Sequence, residues 1–156
     1  MNYWLLKSEP DQFGYHHLTS APKKRTIWDG VRNYQARNIL RDQVKVGDLA
    51  YFYHSSCKIP GIAGICRVTK VGLIDPSSLD PESPYYDPKS SLDNPRWITI
   101  EVEAIRALSR VIPLKELHQH EALQNMVLLN RSRLSVQPVS QTEWDYIEEQ
   151  IIAADR

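Results

Sequence analysis

One short segment, residues 49–53, constrains the fold of this chain more than any other. Its sequence, Leu-Ala-Tyr-Phe-Tyr, is apolar at every position, so both faces of an extended segment would need cover. A strand that faces water alternates apolar with polar residues, whereas a strand in the middle of a sheet or small barrel does not. The segment therefore predicts a central strand with packing elements on both sides.

Further strands are predicted around this segment. Residues 3–8 and 62–73 are β-prone, and residues 97–107 alternate between apolar and polar, which predicts one buried face. Shorter extended pieces are expected at 26–28 and 134–136. In the alternating strand, the side chains expected to point inward are Ile98, Ile100, Val102 and Ala104, and those expected outward are Thr99, Glu101 and Glu103.

Helices are predicted from their capping residues. Ser8 precedes an early proline, Asn33 is expected to cap a helix running to about Val44, and Ser140 opens a capping box before a terminal helix. Two short helices are expected within 113–129. Because strands dominate the middle of the chain, the predicted class is α+β, a mixed and partly closed barrel of five to six strands with flanking helices.

Length and composition limit the classes of function. A chain of 156 residues predicts one domain, residues 1–156. No apolar run approaches the roughly 20 residues that cross a bilayer, and the first residues do not resemble a signal peptide, so no membrane contact is expected. Two cysteines, Cys57 and Cys66, give no disulfide framework. We therefore expect a cytoplasmic protein, or a nuclear one in a cell that has a nucleus, and nothing in the sequence predicts more than a monomer.

The charges are unevenly distributed along a chain whose net charge is zero. Residues 1–70 carry 11 Lys and Arg against 5 Asp and Glu, whereas residues 71–156 carry 8 against 14. Zero net charge excludes a strong nonspecific coat for nucleic acid. Two alternatives stay open: the first half builds a local basic face, or the two halves interleave in the fold so that the charge asymmetry disappears at the surface.

Residues 28–38 hold the densest set of candidate ligand-binding groups. Their sequence, Trp-Asp-Gly-Val-Arg-Asn-Tyr-Gln-Ala-Arg-Asn, combines a flat π surface, a glycine turn, two guanidinium groups and side-chain amides. Such groups stack on a nucleobase, hydrogen-bond to its edge and bind its phosphate. Trp28 has a competing interpretation, because most tryptophans are largely buried in the core.

Catalytic and metal-binding motifs are weak by comparison. The sequence has no glycine-rich phosphate loop and no Gly-x-Ser-x-Gly nucleophile motif. His54, Cys57 and Cys66 lack the paired spacing of a structural zinc site, so neither a metal nor a cofactor is expected. One enzymatic alternative stays open, in which His54 acts as general base on a nucleotide or a modified base.

Several longer motifs carry a family resemblance that covers residues 2–152. They lie at residues 3–10, 28–38, 47–48, 52–55, 61–65, 83–89 and 133–139, beginning with Tyr-Trp-Leu-Leu-Lys-Ser-Glu-Pro. With these motifs the chain resembles the EVE domain. The resemblance implies a PUA-like fold, a small pseudo-barrel related to ASCH and YTH domains, and a non-enzymatic module that recognises a modified nucleobase.

The resemblance also implies the residues of the site. By similarity to YTH domains, Trp28 would form a wall of an aromatic cage, and Ser8 and Asp29 would contact polar edges of the base. The base would be methylated or hydroxymethylated cytosine in DNA, with modified RNA as the alternative. A second aromatic would come from Tyr85 or Tyr86. The predicted ligand-binding set is Lys7, Ser8, Trp28, Asp29, Gly30, Val31, Arg32, Asn33, Tyr53, His54, Ser55 and Tyr86.

Two further kinds of contact are predicted. Phosphates of a bound nucleic acid would contact cations, which would supply salt-dependent affinity. A protein effector would bind the proline-rich loop at 75–96, since a module that only recognises a base acts through what it recruits. The predicted phosphate-binding residues are Arg37, Lys58, Lys23, Lys24 and Arg25.

Overall fold

The computed structural model describes residues 1–130 and 133–155, which form a six-stranded mixed sheet with helices on both faces. The order of strands across the sheet is β2-β5-β4-β3-β1-β6; β1 and β3 run parallel, and the other neighbouring pairs run antiparallel. The strands are β1 (Tyr3–Ser8), β2 (Arg25–Ile27), β3 (Leu49–His54), β4 (Gly61–Ile74), β5 (Ile98–Pro113) and β6 (Val136–Val139).

Six helices in the described part of the chain connect and cover the strands. Single 3₁₀ turns lie at Pro22–Lys24, Pro76–Leu79 and Glu121–Leu123, and a π turn, Ile147–Ile152, continues the last helix before a 3₁₀ turn at Ala153–Asp155. No helix in the described ranges is both long and apolar enough to cross a membrane. The helices are α1 (Pro10–Phe13), α2 (Tyr15–Ser20), α3 (Tyr34–Asp42), α4 (Leu114–Leu117), α5 (Val127–Asn130) and α6 (Gln141–Tyr146).

The central strand that the sequence predicts is β3, which lies between β4 and β1. Tyr51 packs in one hydrophobic cluster, with Leu5 of β1, and Phe52 packs in the other, with Leu6. Because successive strand residues point to opposite faces, these clusters lie on the two sides of the sheet. Helices α2 and α3 contribute to the Phe52 cluster, and α4 and α6 to the Tyr51 cluster.

The α+β class and the six strands are confirmed, but the sheet is not closed into a barrel. In the described part of the chain, β2 pairs with β5 at one edge and β6 with β1 at the other, and no ladder joins the two edges. Helix α3 contacts both β5 and β6 and so occupies the gap between the edges. Its N-cap is Asn33, as predicted, with the side chain accepting a hydrogen bond from the Ala36 N–H at 2.9 Å.

Three local predictions are wrong. Thr99 is buried rather than outward, because its hydroxyl donates to the carbonyl of Trp28. The last strand begins at Val136 and includes Pro138, which an edge strand tolerates because no partner needs its missing N–H. Ser8 does not cap α1, whose N-cap is Glu9; the Ser8 hydroxyl instead donates to the carbonyl of Phe13 at 2.6 Å.

The basic and acidic halves of the sequence interleave in the fold. Arg25 and Arg67 both pair with Glu103, at 3.0 and 2.7 Å. Arg32 pairs with Asp75 at 2.9 Å. Each of these ion pairs joins a residue of the first half to one of the second, so much of the charge asymmetry along the sequence is neutralised within the structure.

Candidate functional site

A pocket of about 780 Å³ opens where β1 and β3 end side by side. This volume lies within the range of about 300–1,000 Å³ that is typical of small-molecule sites. One wall is the loop of residues 26–33, and the floor is formed by the ends of the two parallel strands at Ser8 and Ser55. The Ser55 N–H donates to the Ser8 carbonyl at 2.9 Å and joins these strand ends.

Trp28 belongs both to the core and to the pocket wall. The residue is only 6% exposed, and its ring packs edge to face against Phe52 with centroids 5.3 Å apart. The backbone is fixed as well, because the Trp28 N–H donates to the Ile100 carbonyl at 2.8 Å and the Thr99 hydroxyl donates to the Trp28 carbonyl. The indole also lines the pocket, so it is held rigidly at the surface that a ligand would meet.

Asp75 fastens the loop that follows Trp28. Its carboxylate is almost fully buried and accepts hydrogen bonds from the Gly30 N–H and from Arg32 Nη1, both at 2.9 Å. The Ser77 N–H and hydroxyl donate to the other carboxylate oxygen at 2.8 and 2.6 Å. Gly30 has φ +81°, a conformation that residues with a side chain rarely adopt. Asp75 was not predicted as part of the site.

Arg32 acts as a clamp between this loop and the segment at 75–97. Its guanidinium makes five hydrogen bonds, to the carbonyls of Val31 and Tyr85 (two to the latter), to Asp75 and to Ser77. A guanidinium has five N–H donors, so every donor is used within the protein. The group also lies over the Trp97 ring, 4.9 Å from its centroid. This arrangement favours a structural role for Arg32.

The pocket perturbs the ionisation of three side chains. Partial burial, and then the nearby charge of Asp75, raise the pKa of Asp29. Burial lowers the pKa of Lys7, whose ammonium lies 5.6 Å from the ring centroid of Tyr53. Burial, followed by the influence of Cys57, raises the pKa of Tyr53 to about 12. The ionisable side chains of the pocket thus include an aspartate next to Trp28 in the sequence, and a lysine and a tyrosine near the strand ends.

Most of the predicted ligand-binding residues come together at this pocket. Tyr85 lines it, whereas Tyr86, the residue assigned from the sequence, does not appear in its lining. His54 is also outside the lining; its Nε2 accepts a hydrogen bond from the Tyr15 N–H at 3.1 Å, which favours a structural role. Burial, and then His16, lower the pKa of His54. The predicted residues that line the pocket are Lys7, Ser8, Trp28, Asp29, Gly30, Val31, Arg32, Asn33, Tyr53 and Ser55.

The predicted phosphate-binding residues lie outside the pocket lining. Arg25 is paired with Glu103, and Arg37 donates to the Arg96 carbonyl at 2.7 Å and to Asn38. Lys23, Lys24 and Lys58 are exposed. Contacts between these side chains and nucleic acid stay predictions.

Part of the pocket lining was not predicted from the sequence. It includes Pro60, Leu114 and Leu128, which come from segments far apart along the chain. No local motif marks them, because they meet only once β4, α4 and α5 are folded. Among the described residues, no group of three or more His, Cys, Asp or Glu side chains is arranged to hold a metal ion.

Comparisons with known proteins agree on one family. The EVE domain matches residues 2–150. Thymocyte nuclear protein 1 from Homo sapiens is 46% identical over 163 residues, which cover 94% of this chain and 72% of that protein. A protein from Leishmania major has a similar structure, with a TM-score of 0.93, 42% identity and coverage of 100% of this chain and 98% of that one.

A further solved structure is that of the human THYN1 protein in complex with DNA containing 5-methylcytosine. It is similar to this chain with a TM-score of 0.89 and 43% identity, and the match covers 94% of this chain and 95% of that one.

Proposed function

The chain belongs to the EVE domain family, and from that premise we propose that it is a non-enzymatic nucleic-acid-binding module that captures a modified base beside Trp28. The observation that carries the proposal is the rigid placement of the Trp28 indole in the wall of an open pocket, next to the Asp29 carboxylate. A preformed aromatic surface beside a hydrogen-bond acceptor is what a base flipped out of its stack requires.

The proposed base is 5-methylcytosine in DNA. A relative that is 43% identical has been solved with DNA containing this base. Cytosine carries an exocyclic amine that donates hydrogen bonds, and carboxylates are its usual protein acceptors. Asp29 supplies such a carboxylate beside the stacking surface. Thymine has the same methyl group but an acceptor oxygen in place of the amine, so Asp29 would disfavour it.

The free energies of methyl burial and aromatic stacking limit how selective this pocket would be for a methylated base. Burying one methyl group is worth about 0.8 kcal/mol, which corresponds to a preference of about fourfold for methylated over unmethylated cytosine. Stacking on an aromatic side chain contributes about 1–3 kcal/mol per base, whatever its methylation. We therefore expect Trp28 to supply affinity, the methyl contact to supply a modest preference, and Asp29 to separate cytosine from thymine.

The test is a titration of single-stranded oligonucleotides of one sequence in which one central base is 5-methylcytosine, cytosine or thymine. We expect Trp28→Phe to weaken binding of all three by about threefold to tenfold, as part of the stacking energy. Asp29→Asn should leave the preference for methylation intact and reduce the preference for 5-methylcytosine over thymine. A matching RNA series decides between DNA and modified RNA.

A buried tryptophan elsewhere provides the matched control. Trp144 packs in the other hydrophobic cluster, on Tyr51, and does not line the pocket. Trp144→Phe should lower the free energy of unfolding as Trp28→Phe does, with affinity unchanged. Equal affinity for all three bases, unaltered by Trp28→Phe and Asp29→Asn, would refute the proposed function.

A further inference from the structure

Tyr34 presents an exposed aromatic ring next to the pocket. It follows Asn33, which lines the pocket, and it is the first residue of α3. The residue is 52% exposed and is not part of the pocket lining itself. Its ring stacks on that of Trp97, with centroids 4.9 Å apart and an angle of 18° between the planes. One face of Tyr34 is therefore covered by Trp97, and base capture beside Trp28 makes no use of the other.

The neighbouring cation, Arg37, does not cover the second face of Tyr34. Its guanidinium carbon lies 4.8 Å from the Tyr34 centroid and 5.9 Å from the Trp97 centroid. A group on the far side of Tyr34 would be much farther from Trp97, because the tyrosine ring would lie between them. Arg37 is therefore at the side of the stacked pair, and the exposed half of Tyr34 includes its outer face.

Trp97 holds the Tyr34 ring at a fixed position. Trp97 is only 6% exposed, its indole N–H donates to the Asp87 carboxylate at 2.8 Å, and its carbonyl accepts from the Asp75 N–H at 2.9 Å. Tyr34 itself begins a helix that Asn33 caps. A surface that is already ordered costs less conformational entropy when a ligand binds to it.

The stacked pair is continuous with the pocket wall. The Arg32 guanidinium lies 4.9 Å from the Trp97 centroid and 5.7 Å from the Tyr85 centroid. Arg32 and Tyr85 both line the pocket. Tyr34 is thus two contacts away from the wall, by way of Trp97, and within reach of a nucleotide that is joined to one inside the pocket.

Arg37 gives the surface beside Tyr34 a positive charge. Its guanidinium donates to the Arg96 carbonyl and to the Asn38 side-chain oxygen, which are both uncharged. A cation beside an exposed aromatic ring suits a base that carries a phosphate, since the ring stacks on the base and the charge attracts the strand. An apolar side chain of a protein partner would gain nothing from that charge.

Capture of one base leaves its neighbours in the strand without a stacking partner, and this unstacking costs free energy. Resting on the proposed function, we infer that the outer face of Tyr34 is a second stacking site, for the base of the nucleotide next to the captured one. This contact replaces part of the lost stacking, and it tolerates any sequence because every base has a π face. The ligand is accordingly a strand of at least two nucleotides.

The test uses single-stranded oligonucleotides with one central 5-methylcytosine, in which the base on its 5′ or its 3′ side is replaced by an abasic residue. We expect one of the two abasic strands to bind the unaltered protein about fivefold more weakly than the intact strand, the lower end of the range for stacking on an aromatic side chain. Tyr34→Leu should remove this difference, and Tyr34→Phe, which keeps the ring, should retain it. Tyr34→Gln repeats the measurement with a polar residue, which suits the exposed position if leucine there folds poorly.

Tyr3 provides the matched control. Its ring also stacks on a buried tryptophan, Trp144, with centroids 4.5 Å apart and 23° between the planes, and it does not line the pocket. Tyr3→Leu should lower the free energy of unfolding as Tyr34→Leu does, because each loses one stacked pair. It should leave the difference between intact and abasic strands unchanged, which a purely structural role of Tyr34 would also predict for Tyr34→Leu.

The outcomes separate the two proposals. Equal affinity for the intact and both abasic strands, or a difference that survives Tyr34→Leu and Tyr34→Gln, would overturn the second stacking site while base capture stands. Failure of the intact strand to bind, or binding that Trp28→Phe does not weaken, would overturn base capture instead.

Discussion

Two buried aspartates, Asp48 and Asp75, hold different regions of the molecule by the same means. Asp48 accepts hydrogen bonds from the Asn2 and Lys45 N–H groups and from the Trp4 indole, at 2.9–3.1 Å. Asp75 accepts from the Gly30 and Ser77 N–H groups, the Ser77 hydroxyl and Arg32. Each carboxylate joins segments that are distant in sequence by accepting hydrogen bonds from both of them.

The difference lies in what each aspartate holds. The partners of Asp48 join the start of β1 to the turn before β3, and none of them lines the pocket. Two partners of Asp75, Gly30 and Arg32, are part of the pocket wall. Substitution of Asp48 should therefore lower stability alone, whereas substitution of Asp75 should lower both stability and affinity for the ligand.

The largest expected effect is that of Asp75→Asn. The change leaves the Arg32 guanidinium without its charged partner, and loss of one member of a buried ion pair costs about 3–5 kcal/mol. We expect the free energy of unfolding in urea to fall by that amount. Oligonucleotide affinity, measured where the variant is still folded, should fall as well, because an amide has one acceptor oxygen where the carboxylate has two and therefore holds the loop at Gly30 less firmly. Affinity equal to that of the unaltered protein would contradict the assignment of Asp75 to the pocket.

Asp48→Asn is the matched change at the other region, with a somewhat smaller effect. Its donors are neutral, and each hydrogen bond to a charged group contributes about 1.5–3 kcal/mol. Urea unfolding should show a loss of this order or somewhat more. Titration of the folded variant should give unchanged affinity; a loss of affinity like that of Asp75→Asn would remove the distinction between the two aspartates.

Thr99→Val should have the next largest effect. Valine has nearly the same shape but leaves the buried Trp28 carbonyl without its hydroxyl donor, a loss of about 1–3 kcal/mol. The free energy of unfolding should decrease by that amount, and binding should weaken because the indole is less rigidly placed. If stability falls and affinity does not, the position of Trp28 does not depend on this hydrogen bond.

The sequence predicted elements whose causes are local. The apolar segment at 49–53 identified the central strand, and Asn33 and Ser140 identified two helix starts, because each signal depends on neighbouring residues. Candidate residues in the loop at 28–33 were found for the same reason. These are short-range patterns of burial, capping and turn chemistry.

The features that the sequence did not predict depend on contacts between residues far apart in the chain. Asp75 bonds to residues 43 and 45 positions away, and its own neighbours give no sign of this. The alternation around Thr99 predicts an outward side chain, but a backbone carbonyl 71 residues earlier provides a reason for burial. Leu114 and Leu128 reach the pocket only through the sheet topology.

Two glycines allow the same comparison between the pocket wall and a region outside it, with smaller expected effects. Gly30 and Gly47 both have positive φ, +81° and +94°. An added Cβ at Gly47 meets nothing within 4 Å, whereas at Gly30 it comes within 3.0 Å of the Tyr85 ring. Left-handed backbone costs a residue with a side chain about 1–2 kcal/mol, so Gly47→Ala should lower stability by that amount and leave binding unchanged.

Gly30→Ala should lower stability by at least as much and also weaken binding, because Tyr85 must shift within the pocket wall. Thermal or urea unfolding measures the first effect and oligonucleotide titration the second. Identical binding by the two variants would mean that the Tyr85 wall does not contact the ligand.

The smallest expected effect is the pH dependence of binding through Asp29. Partial burial and Asp75 raise its pKa, so the carboxylate that accepts from the cytosine amine is lost at a higher pH than an ordinary aspartate would be. Affinity for the 5-methylcytosine strand should fall with decreasing pH. A loss of about twofold marks the pH at which half of the Asp29 carboxyls in the free protein are protonated. That pH should lie above about 3.9, the ordinary pKa of aspartate.

Asp29→Asn is the control for this prediction, since any pH dependence of binding that the variant retains comes from the ligand or from other groups. If the variant and the unaltered protein give the same pH profile, Asp29 does not accept from the base, and the preference for cytosine must arise from another residue of the pocket.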